Sequence, residues 1–236
     1  MKIGSIPALK SSEVIDVRLR DQWLKEVTTA KYLWVHVDSA LSWNDHLTKL
    51  CTEIYPKLCF LNRLSHFLSH ETLLKIYKQT ILPAIDYRSI IWIDCSKVMS
   101  DKLERLQNQA LRSILKKDRK TCTHWLCEKC HLLSLKNRRR FLCFQLVFKI
   151  VKRHNCPENY LATRASLGLR SLRDDSLLNI PAARSTMGQK TLQYSAVKDW
   201  KRLPEEFRDI TNFKYFKTEL FKYLFLILTK LVISAQ

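Results

Sequence analysis

Two kinds of residue are scarce in this sequence: those that make tight turns, and the acids that would balance its lysines and arginines. Only 3 glycines and 6 prolines occur in 236 residues, too few for the many turns of an all-β architecture. The apolar run at residues 223–228 is six residues long, whereas a membrane-spanning helix needs about 20. We therefore expect a mainly α-helical chain without a membrane span. Binding of its last, amphipathic helix to a membrane surface stays an alternative.

The shortage of acids leaves a large positive charge. The chain has 22 Asp and Glu against 41 Lys and Arg, a formal net charge of +19. A surplus of this size favours an anionic partner, with nucleic acid as the first candidate and an anionic membrane surface as the second. The hydrophobic content of 46% is that of a globular protein.

A secretion signal is also missing from the sequence. Residues 1–7 contain no apolar run of the length that a signal peptide needs. We therefore expect an intracellular location, nuclear or cytoplasmic, in which the 8 cysteines are reduced thiols rather than a disulfide framework.

One group of cysteines resembles a metal site. Residues 122–131 read CTHWLCEKCH, which places Cys122, Cys127, Cys130 and His131 within ten positions. Strong zinc signatures have two well-separated ligand pairs, and this segment has one crowded group. We therefore favour core or surface thiols and predict no metal and no cofactor, while zinc stays open.

The hydrophobic pattern divides the chain into three parts. Residues 1–40 contain β-forming runs and predict a small antiparallel sheet. Residues 41–155 show helical periodicity. Residues 156–236 comprise a stretch without a sustained period and then an amphipathic helix. The fold class is therefore mainly α, with a small N-terminal antiparallel β-sheet.

The predicted hub of the helical part is the stretch from residue 69 to residue 115. Ser69 can cap its first helix, and Pro83 should end or kink that helix because proline has no amide donor. Similar signals predict helix starts near Ser42 and Ser134, and at Thr211 or Asn212. Pro56 predicts a kink in the helix that begins near Ser42 and runs to about residue 67.

Four segments in order resemble the region downstream of the polymerase palm in non-LTR retrotransposon reverse transcriptases of the LINE type, similar to the jockey group. Residues 31–38, KYLWVHVD, resemble the family's KYLGV-x-ID strand, and residues 41–46, LSWNDH, resemble the segment after it. The run ILPAIDY at 81–87, with LERLQN at 103–108, resembles the next segment. WKRLPEEFR at 200–208 resembles the W-N-x-LPEE-x-R ending.

The resemblance covers about residues 12 to 224 and implies a helical, thumb-like bundle that holds a nucleic-acid duplex or element RNA. Two positions depart from the family: Trp34 stands where it usually has glycine, and Lys201 where it has asparagine. In the family, the carboxylate pair that holds two metal ions for nucleotide transfer lies upstream of the KYLGV strand. The adjacent Asp174 and Asp175 lie among Arg and Ser, so we predict no polymerase activity for this chain alone.

Two basic runs stand out within residues 102–153, which hold 15 Lys and Arg against 3 acids, a net charge of +12. The first run is KKDRK at 116–120 and the second is KNRRR at 136–140. Successive helical positions differ by about 100°, so at least two arginines of the second run should reach solvent beside Lys136. The predicted nucleic-acid-binding residues are Lys116, Lys117, Arg119, Lys120, Lys136, Arg138, Arg139 and Arg140. The same runs could act as nuclear localisation signals.

The functional hypothesis is a non-catalytic chain that binds the backbone of RNA or DNA through a basic helical surface. The alternatives are a helical module whose exposed apolar faces bind a palm domain or another protein, and an element relic without a selected role. The sequence does not distinguish RNA from DNA.

Overall fold

The computed structural model describes residues 1–4, 9, 17–153, 161 and 178–233. Predictions that concern Asp174, Asp175, Cys156 and most of the aperiodic stretch lie outside the described residues. The predicted fold class is confirmed: the protein is mainly helical, with antiparallel β-structure near the N-terminus.

The β-structure consists of two short hairpins. Strand β1 (Arg18–Leu19) pairs with β2 (Gln22–Trp23), and β3 (Thr29–Tyr32) pairs with β4 (Val35–Asp38), both antiparallel. The longer hairpin turns through Leu33 and Trp34, whose φ angles are 46° and 67°. A two-residue turn with both φ values positive favours Asn and Gly, so this turn is strained. The Tyr87 hydroxyl donates a hydrogen bond of 3.0 Å to the Leu33 carbonyl and ties the turn to the helical body.

Ten α-helices are present within the described residues. They are α1 (Asn44–Leu64), α2 (His70–Ile76), α3 (Leu82–Asp86), α4 (Lys97–Leu115), α5 (Thr123–Lys129), α6 (Leu135–Arg153), α7 (Thr186–Gln189), α8 (Leu192–Arg202), α9 (Glu205–Asp209) and α10 (Phe213–Ile233). A π-helical turn (Tyr77–Ile81) joins α2 to α3.

The predicted caps occur at three helix starts. The Ser69 and Ser134 hydroxyls accept backbone amides at 3.3 Å at the starts of α2 and α6. At α10, Asn212 Oδ1 accepts the Lys214 amide at 2.9 Å. The start of α1 differs, because the Asp38 carboxylate takes both the amide and the hydroxyl of Ser42, at 3.0 and 2.6 Å.

Pro83 neither ends nor breaks the hub helix. Proline cannot donate to the carbonyl one turn earlier, and its ring crowds that carbonyl. The wider π-turn immediately before Pro83 accommodates both effects, so the chain continues as α3. Pro56 is likewise inside α1, which ends at Leu64.

Two hydrophobic cores form the body. The first lies among α1 to α5 and contains fully buried Leu47, Ile54, Leu61, Leu73, Ile81, Leu103 and Leu111. The second lies among α6, α8 and α10 and contains buried Phe144, Phe148, Trp200, Phe216 and Leu220. Buried Gln107 links helices of the first core to the chain before α6. It accepts the Tyr77 hydroxyl at 3.0 Å and donates to the Leu133 carbonyl at 3.1 Å.

Candidate nucleic-acid interface

The second basic run, residues 136–140, lies in the first turns of α6, where neighbouring helices surround it. Arg138 donates from Nε and Nη2 to both carboxylate oxygens of Asp86, each at 2.6 Å. Such a two-point contact is the strongest arrangement of an arginine and a carboxylate. Arg140 Nε contacts Asp199 Oδ2 at 3.2 Å. Both guanidinium groups are therefore occupied within the protein.

Arg139, the middle arginine of this run, is buried. Its side chain lies over the Trp92 ring, 5.1 Å from the centroid, and donates to the Ser100 hydroxyl at 2.6 Å. Burial lowers the pKa of this guanidinium from its usual value. The side chains of Arg138 and Arg140 are 21% and 31% exposed, so two arginines do reach solvent, but both are held in ion pairs and Arg139 is buried. Lys136 is the most exposed of the predicted residues in this run.

The first basic run, residues 116–120, lies where α4 ends and is open to solvent. Lys116, Lys117, Arg119 and Lys120 are all exposed. Lys116 adopts the left-handed conformation (φ 51°, ψ 48°), and the Lys117 amide donates back to the Arg112 carbonyl at 3.0 Å. This hydrogen bond closes the helix in the manner of a Schellman motif. The turn directs the chain of the basic run away from the helix axis.

A surface groove runs beside this turn, between the end of α1 and the last turns of α4. Its volume is about 730 Å³. Five cationic side chains line it, Arg105, Arg112, Lys116, Lys117 and Arg119, together with the neutral residues Asn62, Ser65, His66, Gln109 and Ser113. No carboxylate is among these lining residues. We call this feature the basic groove.

Hydrogen bonds within the protein fix several of the side chains that line the basic groove. Arg112 Nη2 donates to the Thr121 carbonyl at 3.3 Å, which holds the guanidinium against the following loop. The Ser113 hydroxyl donates to Asn62 Oδ1 at 2.9 Å and joins α4 to α1 across the floor. Arg105 Nε donates to the Asp101 carbonyl at 3.3 Å. Two arginines are thus positioned before any ligand binds.

Arg105 and Arg112 were missed by the sequence reasoning, which looked for runs of adjacent charges. The signal for them is periodicity, because Arg105, Gln109, Arg112 and Lys116 follow one another at steps of four, three and four residues. Residues at this spacing share one face of a helix. Lys120 is exposed but does not line the groove.

The cysteine segment forms α5 and its flanks. Cys127 and Cys130 are buried, and burial raises the pKa of their thiols to about 12 and about 11. With pKa values this high, both side chains are protonated at neutral pH, whereas zinc binds the thiolate form. They therefore resemble core thiols. Among the described residues, no group of three or more His, Cys, Asp or Glu is arranged to hold a metal ion.

Over the described part of the chain, none of the helices is both long enough and apolar enough to cross a bilayer.

Comparison of the chain with protein-family models, with curated proteins and with solved structures finds no match.

Proposed function

We propose that this chain binds the sugar–phosphate backbone of a nucleic acid in the basic groove, without catalysing nucleotide transfer. The observation that carries the proposal is a groove with five cations and no carboxylate in its lining. Basic side chains that converge on one surface are the electrostatic footprint of phosphate binding.

The groove has both charged and neutral hydrogen-bond donors, which a sugar–phosphate backbone requires. Lysines and arginines supply charge, and the amides and hydroxyls of the lining add neutral donors. The net charge of +19 adds a long-range attraction for a polyanion. The resemblance to the region downstream of the palm in non-LTR reverse transcriptases supports the same ligand class.

The test is a salt titration of binding to a mixed-sequence duplex and to a single strand of equal length. The variant R105Q/K116Q/K117Q/R119Q removes four charges from the groove. Each lost phosphate contact should flatten the slope of log affinity against log salt by roughly 0.9 on duplex DNA and 0.7 on a single strand. Loss of all four contacts should therefore flatten the duplex slope by about 3.6 units. It should also weaken binding to all nucleic-acid sequences by a similar factor.

The matched control is K149Q/K198Q/K214Q/K217Q, which removes four exposed lysines from α6, α8 and α10. It has the same net charge as the groove variant, but none of the four residues lines the groove. An equal fall in affinity and slope for both variants would show that only net charge matters, and the groove would lose its assigned role.

The absence of catalysis is a separate part of the proposal. It is supported by the surroundings of the adjacent Asp174 and Asp175, which lie among Arg and Ser in the sequence. Primer extension on RNA and DNA templates with Mg²⁺ or Mn²⁺ should give no product. Extension that co-purifies with the chain and is lost in D174N/D175N would overturn this part alone.

A second candidate function is the binding of a palm-type domain, and exposed apolar residues on the hairpins favour it. Trp23, Tyr32 and Trp34 are 67%, 70% and 73% exposed, and Leu24 and Leu33 are 53% and 50% exposed. Exposed apolar patches mark interaction sites in folded proteins. A palm domain from a non-LTR reverse transcriptase, added in trans, should bind the wild-type chain and lose affinity for L33S/W34S. No measurable binding at micromolar concentration would contradict this function.

A further inference from the structure

A second depression lies at the end of α4 and shares two lining residues with the basic groove. Its volume is about 400 Å³, and its walls include Leu68, Ile114, Lys116, Lys117, Trp125 and Lys129. Lys116 and Lys117 are the residues that line both depressions. We call the second depression the Trp125 pocket.

Trp125 has a special position in this pocket. It is half-buried and packs against the first core, so its indole ring is held in place. The ammonium groups of Lys117 and Lys129 lie 5.7 and 5.8 Å from the ring centroid. Cations at this distance are attracted to the ring face, so the positioned aromatic surface has two ammonium groups close to it.

The lining chemistry fits a flat aromatic group with a phosphate attached. Leu68, Ile114 and Leu115 supply an apolar wall beside the indole ring, and three lysines supply charge. No carboxylate is among the lining residues. A nucleobase satisfies this combination, since every base has a π-face that stacks on an aromatic side chain.

We propose that the Trp125 pocket receives an unpaired base of the strand whose phosphates occupy the basic groove. This inference rests on the proposed function and deepens it, because it specifies a ligand with a single-stranded part. A base inside a duplex is paired and stacked, and its π-face is unavailable to a side chain. A single strand, an overhang or an unpaired junction offers that face.

The test compares three DNA ligands of equal length: a thymidine single strand, the same strand with abasic sites throughout, and a blunt mixed-sequence duplex. Wild-type protein should bind the thymidine strand about tenfold more tightly than the abasic strand, the scale of one stacked base. W125L should lose this preference and bind both strands like the abasic one. Its affinity for the blunt duplex should stay within about twofold of wild type, because stacking plays no part there.

The control variant is Y215L. Tyr215 is an aromatic residue of α10 that is 58% exposed, but it lines neither the basic groove nor the Trp125 pocket. Loss of this ring should leave the thymidine preference unchanged. If Y215L lost the preference as W125L does, the pocket assignment would be overturned.

Other outcomes separate this inference from the function beneath it. Salt-dependent binding through the groove cations, with equal affinity for thymidine and abasic strands, would overturn the stacking role and leave the proposed function intact. Absence of all nucleic-acid binding at low salt would overturn both. If W125L fails to fold, the wild-type comparison of thymidine and abasic strands decides alone: a preference supports the pocket and its absence contradicts it.

Discussion

The two basic runs look equivalent in sequence and have opposite uses in the structure. Residues 116–120 lie at a helix end and present their cations to solvent. Residues 136–140 lie at a helix start surrounded by α3, α4 and α8, and their three arginines are bound to Asp86, Ser100 and Asp199. A charge run at a helix end can project outward from the turn, whereas a run inside a packed helix faces neighbours on several sides. Clustered charge therefore stabilises the fold in one place and leaves a solvent-exposed basic surface in the other.

The largest difference that we expect between the two runs is in their contribution to the free energy of unfolding. R138Q/R139Q/R140Q should lower the free energy of unfolding by about 3–5 kcal/mol, because Asp86 and Asp199 lose cations in partly buried sites. The measurement is urea unfolding followed by far-UV circular dichroism. The matched variant K116Q/K117Q/R119Q/K120Q should stay within about 0.5 kcal/mol of wild type. Equal losses of stability in the two variants would show that the two runs do not differ in their contribution to the fold.

Within the second run, the single variants should rank by contact geometry. R138Q should cost roughly 2 kcal/mol and R140Q roughly 1 kcal/mol, since a two-point pair is stronger than a single contact. Asp199 also has Arg202 at 3.8 Å, which compensates in part for loss of Arg140. Chemical denaturation of both single variants tests the order. The reverse order would mean that the Asp86 contact contributes little.

A pH effect should come from Glu104, which accepts the Lys136 amide at 2.8 Å at the start of the second run. Burial raises the pKa of this carboxyl above its usual value of 4.5. The folded state therefore holds the proton to higher pH than the unfolded state. The contribution of this residue to stability falls as the pH rises from the unfolded pKa through the higher folded pKa. Relative to E104Q, the wild type should be more stable at pH 4 than at pH 7. A pH-independent difference between the two proteins would contradict the raised pKa.

The smallest effect concerns the helix end in the first run. K116G should raise the free energy of unfolding by about 0.5–1 kcal/mol, because glycine adopts the left-handed conformation of residue 116 without strain. It should also weaken nucleic-acid binding slightly, by removal of one groove cation. Opposite signs for stability and affinity would separate folding from binding within a single residue. K116A, which lacks the charge and keeps the strain, is the control for affinity.

The helical class, the caps of α2, α6 and α10 and the hub could be predicted, because periodicity and capping residues act locally. The fates of Arg138, Arg139 and Arg140 could not, because their partners are 39 to 59 residues away in sequence. Three of the five cations of the groove, Lys116, Lys117 and Arg119, belong to a run that the sequence shows directly. Arg105 and Arg112 join them only through helical spacing and the approach of α1.

The π-turn before Pro83 was also outside sequence reasoning. Proline's missing donor predicts a local defect in the helix, but either a kink, a stop or a wider turn satisfies that requirement. Tertiary packing decides among these, since Leu82 and Ile85, on either side of Pro83, are both buried in the first core. Continuation of the helix keeps both residues in that core.

The turn at Leu33 and Trp34 has a consequence for how the molecule opens. Each non-glycine residue in the left-handed region costs about 1 kcal/mol, and the β3–β4 ladder is only four residue pairs long. Local unfolding begins where few buried contacts oppose it. The amides of residues 29–38 should therefore exchange with solvent deuterium long before those of α1 and α4, in opening events that leave both cores intact. We therefore expect the hairpin to melt as a separate unit, which the Tyr87 hydroxyl at its tip and the Lys49–His36 contact of 3.1 Å connect to the helical body.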